Sequence, residues 1–245
     1  MRSLRRVPGD LVLTLTTLLL VLAWDASGLD LPVSRALAHA RGFPWRDSWL
    51  TYGLLHEGGR LLAALGVLAL LLHALLPRPP QAGANPAPRW RAFGAVLLNL
   101  GAVPALKRSS LTSCPWDLAE FGGSARYVSH WDWSVGDLGP GHCFPSGHAV
   151  AGFAFIALYF VWRRKRPAWA RRALWLSLAA GLALGLSQVL RGAHYVSHVA
   201  WSAWLCWTLS AAASALSRAL AQARRRNDKP TSTSKSTLMP DIHTR

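Results

Sequence analysis

The chain has 245 residues, 51% of them hydrophobic, with 13 tryptophans and only 16% charged side chains, which is too apolar for an ordinary soluble domain. Its formal charge of +16 comes from short arginine and lysine clusters set between apolar runs, not from one continuous basic surface. That distribution points to membrane topology and away from nucleic acid.

Arg2, Arg5 and Arg6 precede a first apolar run, Leu11 to Trp24. The only small-residue cleavage pattern, Ala38-His39-Ala40, lies well beyond it, so a retained helix is expected, drawing on its flanks from Val7 to Leu29 to reach the roughly 20 residues a span requires. Leu31 to Gly53 is polar and aromatic. Leu54 to Leu76 is a second run, with His56, Glu57 and Arg60 crowded into its first two turns. A Pro- and Arg-rich connector, Pro77 to Arg91, leads to a third run, Ala92 to Leu106, weakened by Gly101 and Pro104. Lys107 to Cys143 is the longest polar region. His148 to Trp162, Ala173 to Leu190 and Val199 to Leu220 complete six runs, and Ala221 to Arg245, with Arg224-Arg225-Arg226, reads as a disordered basic tail.

The expected architecture is all-α: a single six-transmembrane-helix bundle over residues 1–220. Arginine and lysine in short loops mark the cytoplasmic side. The amino terminus, the 77–91 connector, the 163–172 connector and the tail then fall on that side, so both termini are cytoplasmic. The 107–143 region, the start of the fourth run and the end of the fifth share the opposite face. Cys114, Cys143 and Cys206 make an odd count, with Cys206 inside an apolar run. A disulfide between Cys114 and Cys143 needs an oxidising compartment and nothing in the spacing demands it, so packed thiols are the plainer reading and the pairing stays open.

Three polar clusters remain on that face. Pro145-Ser146-Gly147-His148 opens the fourth run, with Ser146 as a natural N-cap; free N–H groups and the helix dipole there favour an anion such as phosphate, and Gly147 allows close approach. At the end of the fifth run, Arg191, His194 and His198 stand at i, i+3 and i+7, on one face if the helix is continuous. Two histidines four apart can share a metal, but Tyr195 follows His194 where the metalloprotease helix motif has glutamate. Lys107 and Arg108 open the polar region, ahead of Cys114-Pro115-Trp116-Asp117.

These clusters, in this order, resemble the type 2 phosphatidic acid phosphatase superfamily, whose signature is KxxxxxxRP, then PSGH, then SRxxxxxHxxxD. PSGH matches fully at Pro145 to His148. Lys107 and Pro115 match the first motif, with Cys114 at the arginine position. Ser187 and His194 match the third, with Gln188 at the arginine position and His198 at the aspartate position. Arg191, one turn after Gln188, and Arg108 are candidates to replace the two missing guanidinium groups, and His198 to hold His194 as the aspartate would. A second register makes His198 the functional histidine with Arg191 as its arginine, at the cost of one extra residue.

The resemblance covers about residues 92–220. It implies a membrane phosphatase or phosphotransferase acting on a lipid-linked phosphate or diphosphate, embedded in a bacterial inner membrane with its site on the periplasmic face, and with no metal or other cofactor. It casts His194 as the nucleophile that becomes phosphohistidine and His148 as general acid. Lys107, Arg191, Ser146 and Gly147 then bind the phosphoryl oxygens. Two other readings stay open: an inactive relative that binds or transports a lipid phosphate, and a metal-dependent hydrolase using His194 and His198.

Overall fold

The computed structural model describes residues 9–40, 42–77 and 87–227. Every named element is helical, and among the described residues the strand-like pairings are two isolated bridges, His39 with Gly42 and Leu118 with Ala125. The helices are α1 (Gly9–Ser27), α2 (Asp30–Leu37), α3 (Gly59–Leu75), α4 (Ala87–Arg108), α5 (Gly147–Phe153), α6 (Ala157–Trp162), α7 (Pro167–Leu190) and α8 (Val196–Asn227). A π-helical segment, Trp49–Gly58, runs straight into α3, and a 3₁₀ turn, Ala154–Ile156, joins α5 to α6.

Among the described residues, four stretches are long and apolar enough to cross a membrane: Gly9–Ser27, Trp49–Leu75, Pro167–Leu190 and Val196–Arg224. Leu19, Leu20, Leu62, Trp175 and Leu176 lie exposed along them, an arrangement suited to lipid and costly in water. Of the six spans expected, the other two are not among these four: Gly147–Trp162 is apolar but short, and α4 carries Arg89, Arg91, Asn99, Lys107 and Arg108.

Two boundaries differ from the sequence reading. α4 starts at Ala87, inside the expected connector, because Arg89 is drawn in: its Nη1 donates to the carbonyls of His73 and Leu76, each at 2.9 Å, satisfying orphan acceptors at the end of α3. α8 continues to Asn227 in place of a tail beginning at 221. The rest of that tail, the amino-terminal arginines and connector residues 78–86 lie outside the described residues.

The core forms where α5 passes between α4, α7 and α8, with Val96, Val103, Ala149, Val150, Phe153, Val189, Val199 and Cys206 buried together. Gly152 and Gly181 let α5 and α7 touch backbone to backbone: a Cβ on Gly152 would lie 2.2 Å from the Gly181 nitrogen. The 3₁₀ turn after α5 has one of its carbonyls satisfied from outside the helix. Asn99, wholly buried on α4, donates to the Ala154 carbonyl at 3.0 Å and to Ser210 Oγ at 2.9 Å.

The 107–143 loop closes one end of the bundle. It holds two 3₁₀ turns, Pro115–Asp117 and Ala119–Phe121, and is pinned by buried Asp137, which accepts from the backbone N–H and hydroxyl of Ser113 and from the Gly139 N–H. The pairing left open for the cysteines is decided, against the plainer reading: Cys114 and Cys143 are joined as a disulfide, with Cα atoms 5.2 Å apart, because the loop brings residues 29 apart in the chain side by side. Cys206 is a buried free thiol.

Candidate active site

α7 ends at Leu190 and α8 begins at Val196. Between them Gly192 has φ +71°, and a Cβ there would lie 2.2 Å from the Phe43 ring, so the turn requires glycine. This breaks the single helical face expected for Arg191, His194 and His198: Arg191 caps α7, His194 sits in the turn, and His198 lies in the first turn of α8. The turn nevertheless folds the two imidazoles together.

His194 Nδ1 lies 3.4 Å from His198 Nδ1 and 3.5 Å from Cys143 Sγ. A disulfide sulfur has no proton to give, so the sulfur contact is packing. If His194 donates its Nδ1–H to the His198 Nδ1 lone pair, the His194 Nε2 lone pair is left free, which is the tautomer a nucleophile needs. His198 is wholly buried among Tyr195, Phe144 and His130, with ring centroids 5.0, 5.2 and 5.6 Å away, and its Nε2 has no hydrogen-bond partner among the described residues. One ring farther back, His130 Nε2 is 3.4 Å from Asp25 Oδ2, an oxygen that also accepts from Trp201 Nε1 at 2.8 Å and Trp131 Nε1 at 3.1 Å. A carboxylate from α1 therefore stands behind the histidine that replaces the third-motif aspartate.

His148, in the first turn of α5, meets the π-helical segment. Its Nε2 lies 3.1 Å from the Leu55 carbonyl, to which it donates, and its ring stacks on His56 with centroids 4.3 Å apart. His56 stacks in turn on Tyr52 at 5.7 Å. The bond to Leu55 leaves His148 Nδ1 as the nitrogen available to a ligand. Lys107 reaches the same place from the end of α4: a Cβ on Gly147 would be 3.8 Å from Lys107 Cδ, and the charges of Lys107 and His148 both act on His194.

Ser146 occupies the N-cap position of α5 but its side chain does not cap the helix. Its backbone is held by α8 instead: its N–H donates to the His198 carbonyl at 3.2 Å, and its carbonyl accepts from Ser202 Oγ at 2.9 Å. The hydroxyl is buried and has no partner among the described residues. Arg191, one turn after Gln188, is held by three contacts. Its Nη1 donates to Gln188 Oε1 at 3.0 Å, its Nε donates to the Arg46 carbonyl at 2.7 Å, and its guanidinium lies 5.0 Å from the Tyr52 ring centroid. Arg108 differs: it is exposed at the end of α4, and no hydrogen bond or ion pair joins it to the cluster among the described residues.

A family model described as the PAP2 superfamily matches residues 88–221, which include all three motifs. The chain belongs to the PAP2 superfamily. No curated protein and no solved structure matches it. PAP2 chemistry is phosphatase-type, on phosphate esters, and the apolar helices are consistent with an integral membrane protein. Within this PAP2 fold the first-motif Lys107, the PSGH residues and the third-motif His194 come to one place. What the motifs alone do not reveal is the support around them: His56 beneath His148, and the Asp25 and His130 pair behind His198. The crowding of His56, Glu57 and Arg60 at the start of the second run was the one visible signal.

Burial pushes the His194 pKa well below its ordinary value of 6.5, with the positive charges of Lys107 and His148 acting in the same direction and the Cys143 backbone against it. A histidine whose folded pKa is depressed favours the folded state above the unfolded value and loses that stabilisation as pH falls below it. The midpoint of thermal unfolding in detergent should therefore drop from pH 7.5 to pH 5.5, and His194→Gln should flatten that drop.

Proposed function

We propose that this PAP2 protein is an integral membrane phosphatase that removes phosphate from a lipid-linked phosphate or diphosphate by way of a phosphohistidine at His194. The observation that carries the lipid reading is an apolar cavity of about 600 Å³ opening between α3, α5, α6 and α7, lined among others by Leu55, Leu62, Phe155, Leu158, Trp169 and Leu184. Leu55 both lines this cavity and accepts the hydrogen bond from His148, so an acyl or prenyl chain lying there would bring its phosphate to the histidines.

In this reading His194 Nε2 attacks phosphorus and the bond to the lipid oxygen breaks. His148 Nδ1, protonated, gives its proton to that oxygen. The same nitrogen then takes a proton from the water that attacks phosphohistidine and releases inorganic phosphate. Lys107, Arg191, the Ser146 hydroxyl and the Gly147 N–H hold the phosphoryl oxygens as charge shifts in the transition state. His198 keeps His194 in the reactive tautomer. Arg191→Ala should then lower kcat/KM for a lipid phosphate about 10–100-fold, in line with loss of charge-assisted hydrogen bonds worth about 1.5–3 kcal/mol, as steady-state phosphate release would show.

The bilayer is crossed six times in this reading, with α4 and the joined α5 and α6 as the additional spans, both termini cytoplasmic and the site on the periplasmic face of a bacterial inner membrane. The buried bonds of Asn99 support α4 as a span, since its one polar side chain at mid-helix is satisfied within the protein. The test is phosphate release by the purified protein with chelator present, over phosphatidate, phosphatidylglycerol phosphate, lipid A and undecaprenyl diphosphate, against a water-soluble phosphate ester. Release from at least one lipid well above the soluble ester supports the proposal. Tight binding of these lipids without turnover in any of them contradicts it and supports a lipid-phosphate-binding relative.

A further inference from the structure

The disulfide stands at an unusual point. Cys114 occupies the arginine position of the first motif, Cys143 lies two residues before the PSGH motif, and the Cys143 sulfur packs against Nδ1 of the third-motif histidine. A ligating atom from each of Cys114, Cys143 and His194 falls within 4.8 Å of the others, and all three residues are buried. While the sulfurs are bonded to each other they hold no cation. Reduced, they become a donor set of two thiolates and an imidazole.

We propose that reduction of Cys114–Cys143 creates a binding site for zinc or another thiophilic divalent cation, formed by the two thiolates and His194 Nδ1. Tetrahedral zinc, with bonds of about 2.3 Å to sulfur and about 2.0–2.1 Å to nitrogen, sets neighbouring ligand atoms about 3.5 Å apart for a sulfur–nitrogen edge and about 3.3 Å for a nitrogen–nitrogen edge. Cys143 Sγ and His194 Nδ1 already stand 3.5 Å apart, and His198 Nδ1 stands 3.4 Å from His194 Nδ1 as the neighbouring fourth donor. The Cys114 and Cys143 Cα atoms, 5.2 Å apart, allow the freed sulfurs to part by side-chain rotation. Two thiolates cancel the charge of a divalent cation, so the occupied site is neutral and suits its burial. Soft sulfur donors favour zinc over magnesium or calcium.

The chemistry balances with a dithiol or a phosphine as reductant. With a trialkylphosphine, phosphorus is oxidised to the phosphine oxide using the oxygen of one water, the S–S bond breaks, and the two protons of that water go to the two sulfurs. Binding of the cation then releases both protons. A consequence follows for hydrolysis, and it rests on the role proposed for His194. A metal on Nδ1 removes the acceptor arrangement with His198 and fixes the imidazole away from the substrate phosphorus, so the reduced, metal-loaded protein is switched off.

The experiment is a cobalt titration of the full-length protein in detergent, before and after phosphine reduction, followed by absorbance. A thiolate-to-cobalt charge-transfer band at about one cobalt per chain in the reduced protein alone is expected. Cys206→Ser should keep the band, and the Cys114→Ser, Cys143→Ser double variant should lack it. His194→Ala should weaken cobalt binding at least tenfold with the band retained at saturation. No band in the reduced protein, or a band that survives in the double variant, overturns the site. Circular dichroism of the double variant reports whether the fold survives without the cross-link; a folded double variant that still binds cobalt through sulfur counts against the proposal. Zinc should also inhibit phosphate release by the reduced protein at least tenfold more than by the oxidised protein, reversibly with chelator. A cobalt band in a protein that hydrolyses nothing leaves the site standing and overturns the catalytic reading, whereas hydrolysis without the band does the reverse.

Discussion

His194→Ala should lower phosphate release by roughly 10⁴-fold or more, and no other single substitution should cost as much. The reason is chemical: in the proposed mechanism the imidazole supplies the atom that bonds phosphorus, so its removal loses the covalent route, whereas removing a neighbour leaves it slower. His148→Ala, which deletes only the proposed proton donor, should cost about 10²–10⁴-fold. The loss at His148 should shrink for a substrate whose leaving oxygen needs little protonation, such as an aryl phosphate, and the loss at His194 should not. The two variants should also differ in stability. His194 is almost wholly buried and packs against the disulfide and His198, so its truncation leaves a void; His148 is half-buried and bonded to the carbonyl of Leu55, which lines the apolar cavity. His194→Gln, close to it in volume, separates lost chemistry from lost packing. Steady-state release with each variant, beside its thermal unfolding midpoint, is the check.

Gly152→Ala should be the most damaging single-methyl change in the bundle, destabilising by about 3 kcal/mol. The added Cβ would lie 2.2 Å from the Gly181 nitrogen and 2.6 Å from the Ala180 carbonyl carbon. Those are backbone atoms with no rotamer to change, so α5 and α7 must move apart, and the Phe153 ring that closes over Gly181 must move with them. A control lies on α4. A Cβ added at Gly101 would meet nothing within 4 Å, so Gly101→Ala should be neutral or stabilise by up to about 1 kcal/mol through helix propensity. Because α5 presents His148 and α7 presents Arg191, Gly152→Ala should also lower phosphate release in whatever folded fraction remains. Thermal unfolding in detergent ranks the two variants.

Much of the helical layout was legible because hydrophobic runs report membrane-length helices directly: the runs beginning at Leu11, Leu54, Ala173 and Val199 became α1, the Trp49–Leu75 segment, α7 and α8. The motif residues were legible as well, since Lys107, PSGH and His194 keep family spacing and end up side by side. What failed was whatever depended on contacts distant in the chain. Ser146 reads as a helix cap, yet Ser202 and His198 of α8 hold its backbone and leave the hydroxyl unpaired among the described residues. Arg191, His194 and His198 read as one helical face, but Gly192, pressed against Phe43, turns the chain between α7 and α8. Arg89 reads as a topology charge in a connector and instead closes the end of α3. The carboxylate behind His198 comes from Asp25, more than a hundred residues earlier, through His130. No local pattern carries that information, because burial and pairing of this kind are set only when the helices have packed.

The phosphoryl group proposed for His194 would be trapped by rapid quenching of the protein with a ³²P-labelled lipid phosphate, followed by peptide mapping of the label. The prediction is an acid-labile, base-stable phosphopeptide spanning the α7–α8 turn, with phosphate on His194 and its amount rising in His148→Ala if breakdown is slowed more than formation. Label on His198, or turnover at full rate with no labelled protein at any quench time, would contradict it.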